Sequence, residues 1–144
     1  MAATSVKVVV ATDEDRSVVD FLVAELRARG LEVERLPPGP WGQVALAAAH
    51  RVARGDAAQA IVCCWTGTGV TLAANKVPGV RAALCVDAET ARGARVWNDA
   101  NVLGLSLRLL SEPVAKEILD AWCSAGYGGT EDASLAVVAS SERR

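Results

Sequence analysis

Short apolar runs alternate along this chain with stretches whose apolar residues recur at helical spacing. Residues 6–11 are apolar at all but one position and predict a buried strand. Beyond them Val18, Val19, Leu22, Val23 and Leu26 share one helical face, with Thr12 or Asp13 placed to cap the helix and Gly30 to close it. Residues 31–36 alternate as a second strand, and Pro37-Pro-Gly-Pro40 breaks the chain before a helix over about 41–54. Residues 60–64 predict a third strand, followed by a glycine-rich turn and a short helix through Asn75. Residues 80–85 predict a fourth, after which Asp87 is placed to cap a helix running to Trp97. Residues 101–106 are the fifth. Ser111-Glu-Pro113 then opens a helix to about Ser124, with Gly126 as its stop. Apolar strands alternating with helices imply an α/β sandwich of three layers, a five-stranded parallel sheet covered on both faces. With no internal repeat or linker, 1–144 reads as a single domain, its residues 140–144 a frayed tail. In such a sheet ligands bind beyond the carboxyl ends of the strands, here after Ala11, Cys64 and Leu105.

Composition narrows the function. Hydrophobic residues make up 51% of the chain, mostly Ala and Val, which suffices for a real core. The net charge of -2, with Arg and acids interspersed, argues against nucleic acid or an anionic membrane as main partner. No apolar run approaches the roughly 20 residues that span a bilayer, and Met1-Ala-Ala-Thr-Ser5 lacks the features of a signal peptide. Cys63, Cys64, Cys85 and Cys123 show no CxxC spacing and no histidine pair, so neither a metal site nor a disulfide framework is expected. A reducing, cytoplasmic setting follows. His50, the only histidine, falls mid-helix away from the strand ends and reads as a surface residue.

Cys64-Trp-Thr-Gly-Thr-Gly69 leaves a strand and enters a helix. Its glycines permit a tight turn in which consecutive N–H groups point at one anion or oxyanion. It lacks the Lys-Ser/Thr pair of a P-loop and the full GxGxxG spacing. Spacing alone leaves Cys64 open between a reactive thiol at a helix N-terminus and a buried small residue.

A longer set of motifs bears on this: Cys64-x-Thr-Gly-x-Gly69, Ala73-Ala-Asn-Lys76, Gly79-Val-Arg-Ala-Ala-Leu-Cys85 and Arg95-x-x-Asn-Asp-Ala-Asn-Val-Leu103. In this order they resemble the ribose-5-phosphate isomerase B and galactose-6-phosphate isomerase family over most of the chain. The resemblance implies a Rossmann-like fold, a homodimer with sites between subunits (paired into tetramers or not), and aldose–ketose interconversion through an enediolate without metal or cofactor. It implies Cys64 as the base, Thr66 in ring opening or proton relay, and Gly67, Thr68 and Gly69 as the oxyanion cradle. Asp13 and Asn98 match substrate-contacting positions.

The chain departs from that family where charge is concerned. An Asp-His pair becomes Asp13-Glu14; the histidine before the Asn-Asp pair becomes Trp97; a glycine becomes Trp65; a tyrosine falls near Trp41. Two phosphate-holding arginines near the C-terminus become Thr130 and Ser134. Glu14, Trp41, Trp65 and Trp97 therefore join the expected substrate-binding set, with packing at a dimer interface the lesser reading for Trp41 and Trp97. The leading expectation is an isomerase of a non-phosphorylated or atypical sugar. The others are a ribose-5-phosphate isomerase that holds phosphate with other groups, and a non-catalytic sugar-binding homologue.

Overall fold

The structure, a computed structural model, describes residues 5–142. Its strands are β1 (Lys7–Thr12), β2 (Glu32–Arg35), β3 (Gln59–Cys64), β4 (Ala82–Leu84) and β5 (Val102–Ser106). Between and after them run α1 (Ser17–Ala28), α2 (Trp41–Ala53), α3 (Thr68–Ala74), α4 (Ala88–Asn98), α5 (Glu112–Ser124) and α6 (Asp132–Ser140). All strand pairings are parallel, in the order β2-β1-β3-β5-β4.

Strand residues alternate between the two faces, and each face meets its own helices. Val8, Val10, Ile61, Cys63, Leu103 and Leu105 join α1, α4 and α5 in one buried cluster. Val9, Ala11, Val62, Cys64 and Val102 join α2 and α3 in the other. Period-two alternation thus sends Cys63 and Cys64 to opposite layers. Trp122 is the largest fully buried side chain, and its indole N–H donates to Gln59 Oε1 at 3.0 Å.

Several local expectations hold, and four are corrected. Asp87 accepts from the Thr90 amide at 2.8 Å, and Ser111 from Val114 at 3.3 Å with Pro113 in the first turn. The cap of α1, however, is Arg16 and not Thr12 or Asp13, because the chain runs on as a loop past β1. Thr12 instead closes that loop, its hydroxyl donating to the Glu14 carbonyl at 2.8 Å. Gly126 does not stop α5, which ends when Ala125 turns extended. The fourth strand is only Ala82–Leu84. Finally, 132–140 form a helix where no element was expected: Leu135-Ala-Val-Val-Ala139 is one apolar run without helical periodicity. Tyr127 sets its start, accepting from the Glu131 amide at 3.0 Å and donating to Asp132 at 2.6 Å. Of the expected frayed tail, Ser140 belongs to α6 and Glu142 accepts from the Gly79 amide; residues 143–144 lie outside the described residues, as do 1–4 of the start.

Helix α3 packs closely on β5 at Gly104. A Cβ added to Gly104 would sit 1.9 Å from Thr71 Oγ1, whose hydroxyl donates to the Gly67 carbonyl at 2.7 Å. Gly104→Ala is expected to cost about 1–3 kcal/mol by overpacking, read by denaturant unfolding. Adding Thr71→Ala should return part of that loss, and strictly additive losses would contradict the packing account.

Candidate active site

In the strand order, β1 is flanked by β2 and β3, so the connections leaving β1 and β3 diverge. That is the switch point where an open parallel sheet leaves a crevice at the strands' carboxyl ends. Asp13 follows β1 there, its amide donating to the Cys63 carbonyl at 3.2 Å, and Cys64 ends β3. Cys64 is nearly buried, at 6% exposure.

The turn after Cys64 is clamped to the end of β5. The Cys64 carbonyl accepts from the Leu107 amide at 2.9 Å, and that of Trp65 from the Arg108 amide at 2.9 Å and the Ser106 hydroxyl at 3.0 Å. Gly67 then takes a left-handed conformation (φ 77°) as the N-cap of α3. A Cβ there would lie 2.6 Å from Leu84 Cδ1 and 2.9 Å from the Leu105 carbonyl carbon, so both conformation and space require glycine. No side chain caps α3, which leaves the amides of its first turn free for an anion or oxyanion. The Thr66 and Thr68 hydroxyls are 2.7 Å apart beside them. The indole of Trp41, at the start of α2, lies against Gly69, where an added Cβ would approach Trp41 Cε3 to 2.9 Å.

Asp13, Glu14, Trp41, Cys64, Trp65, Thr66, Gly67, Thr68 and Gly69 therefore share the carboxyl edge of the sheet. Trp97 and Asn98 do not join them within this chain. They end α4, which runs back toward the amino edge, and Asn98 precedes Val102 by a short loop. Register pairs Val102 with Ala60 and Ser106 with Cys64, so strand length alone separates the two edges by about 13 Å. Near Asn98 a cleft of about 680 Å³ opens between α6 and the start of β4, lined by Asn75, Arg81, Asp99, Leu135 and Glu142 among others. Asp99 is held by Arg81, whose Nε donates to the Asp99 carbonyl at 2.6 Å. Thr130 and Ser134 are exposed around the start of α6, and His50 is exposed on α2.

Electrostatics separate the cysteines and the acids. Burial pushes the Cys63 thiol up to about 12 and Cys85 up to about 11, which removes both as nucleophiles. Asp13 is raised above the usual carboxylate range, first by desolvation and then by neighbouring Glu14. Its Oδ1 is buried with no hydrogen-bond partner among the described residues. Sequence reading missed Arg16, whose guanidinium lies 5.0 Å from the centroid of the Trp65 ring. It also missed Ser106, which holds the turn. Neither carried a signal, since an Arg at a helix start and a Ser at a strand end are commonplace.

A sequence profile described as Ribose/Galactose Isomerase matches residues 8–137. The chain belongs to that family. Ribose-5-phosphate isomerase B of Escherichia coli K12 is 37% identical over 135 residues, covering 85% of this chain and 87% of its own. D-erythrulose-4-phosphate isomerase of Pectobacterium atrosepticum is 36% identical over 125 residues, covering 83% and 80%. The type B ribose 5-phosphate isomerase structure from Trypanosoma brucei superposes with a TM-score of 0.90 at 35% identity, covering 96% of this chain and all of the other. Membership of the Ribose/Galactose Isomerase family makes this chain an isomerase of the aldose–ketose type and accounts for its five parallel strands.

Asp13, whose Oδ1 is buried without a partner among the described residues, gives a test. Above its raised folded value the group is charged in both states and the folded state bears the desolvation; below 3.8 it is neutral in both and the penalty vanishes. Asp13→Asn is expected to raise the melting temperature at pH 7 by about 2–5 °C, as about 1 kcal/mol would. The gain should fade as pH falls through the carboxylate range; a gain independent of pH would contradict the burial account.

Proposed function

We propose that this isomerase interconverts an aldose and a ketose by proton transfer through an enediolate, with the Cys64 thiolate as base. The observation that carries the reading is the convergence of Cys64, Asp13 and an uncapped glycine turn at the switch point. In the forward direction Cys64 takes the proton from the carbon beside the carbonyl. Negative charge moves to the carbonyl oxygen, where the first-turn amides of α3 stabilise it. The proton then returns to the neighbouring carbon. Thr66 and Thr68 relay or hold hydroxyl protons, and Asp13 orients a substrate hydroxyl. Glu14, on the carboxyl edge with Cys64, is better placed to open a sugar ring than Asp99, which lies at the amino edge.

The working unit is a homodimer in the cytoplasm. The distance of Trp97 and Asn98 from Cys64 supports it, because both residues can then enter the other subunit's site. So do the exposed apolar residues Leu72 on α3 and Val137 and Val138 on α6, at 60%, 70% and 55%. No helix among the described residues is long and apolar enough to cross a membrane.

The substrate is a sugar without a phosphate, or one whose phosphate meets unusual groups. Relatives are named for sugar phosphates, but here Thr130 and Ser134 carry no charge while Glu14, Glu131 and Asp132 do. A carboxylate about 4 Å from each phosphate charge costs about 4 kcal/mol at an effective dielectric of about 20.

Incubation of candidate sugars in deuterium oxide tests the chemistry, since an enediolate labels C2 even when net conversion is slight. Cys64→Ala is expected to lower labelling about 100- to 10,000-fold, the usual contribution of a general base. Labelling at the wild-type rate would refute the assigned base. Ribose 5-phosphate turned over as fast as every free sugar would refute the substrate preference.

A further inference from the structure

Trp65 does not stand alone at the mouth of the site. The guanidinium of Arg16 lies 5.0 Å from its ring centroid, and the same group donates to Glu14 Oε1 at 2.9 Å. These residues come from the two loops that diverge at the switch point, one after β1 and one after β3. Trp65 keeps 49% of its surface exposed, so aromatic area remains beside the stacked guanidinium. Arg16 is thus in contact with the Glu14 carboxylate and within electrostatic reach of Asp13.

A phosphate dianion approaching Arg16 would have to displace Glu14 and remain near Asp13. An uncharged polyol meets no such opposition. A guanidinium beside a carboxylate offers both donors and acceptors to neighbouring hydroxyls, and an indole packs against the C–H face of a sugar. We propose that Trp65, Arg16 and Glu14 form a subsite for the uncharged, hydroxylated end of the substrate, with Arg16 its specificity-determining residue. This subsite rests on the placement of the reaction centre at Cys64, and its Trp65 and Arg16 take no part in proton transfer.

Binding without turnover tests it. In a Cys64→Ala background, NMR titration with the four unphosphorylated D-aldopentoses, with ribose 5-phosphate and with inorganic phosphate reads the subsite directly. At least one aldopentose is expected to bind, and Arg16→Ala to weaken it by about tenfold, the loss of one charge-assisted hydrogen-bonding group. Inorganic phosphate binding should not weaken with Arg16→Ala. Glu14→Gln, which removes the counter-charge, should weaken the sugar and strengthen phosphate several-fold. The inference falls if no aldopentose binds, if Arg16→Ala leaves aldopentose binding unchanged or weakens inorganic phosphate, or if Glu14→Gln leaves phosphate binding unchanged. Failure of the assigned base would show instead as turnover surviving in Cys64→Ala, an outcome separate from these binding ratios.

Discussion

A parallel sheet has two unlike edges, and every strand–helix connection must choose between them. Residues that follow a strand gather at the carboxyl edge, and residues that end a helix gather at the amino edge. Here that rule puts Asp13, Cys64 and the Trp65–Gly69 turn on one side, and Trp97 and Asn98 on the other. The chain brings most of its expected site together in one place. The remainder lies about 13 Å of strand away. The proposed dimer, the exposed apolar face of α6 and the cleft beside Asn98 all bear on that separation.

Within the carboxyl edge, a second constraint acts over shorter distances. Gly67 turns left-handed in a space that Leu84 and Leu105 already fill, and Thr71 occupies the volume that a side chain at 104 would need. Hydrogen bonds from Ser106, Leu107 and Arg108 hold the backbone of Cys64 and Trp65 against β5. The turn is therefore positioned by the sheet as well as by its own Gly67. The bulky Trp65 is accommodated because its side chain lies against Arg16 while its carbonyl stays pinned.

Much of this was legible before any coordinates. Continuous apolar runs and capping residues such as Asp87 and Ser111 marked the strands and most helices, since burial and capping act locally. The motif order around Cys64 and Asn98 marked the family. Helix α6 escaped because Leu135–Ala139 presents apolar residues on every side, a pattern that means burial elsewhere and carries no helical period. The start of α1 escaped because Thr12 spends its hydroxyl on the loop ahead of the helix. Arg16 escaped because a stacked guanidinium depends on where two loops meet, which spacing along one segment does not encode. Strand order decides which residues become neighbours, and no single motif contains it.

The central claim is that a working site needs the carboxyl edge of one copy and the amino edge of another. Subunit mixing tests it directly. Cys64→Ala and Asn98→Ala proteins, each of low activity, are dissociated, combined and reassociated, and isomerisation is measured against the unmixed variants. In a mixed dimer one of the two sites combines an intact Cys64 with an intact Asn98, so activity should rise well above either parent. A mixture no more active than its parents, with mixed dimers demonstrated by mass, would contradict the account.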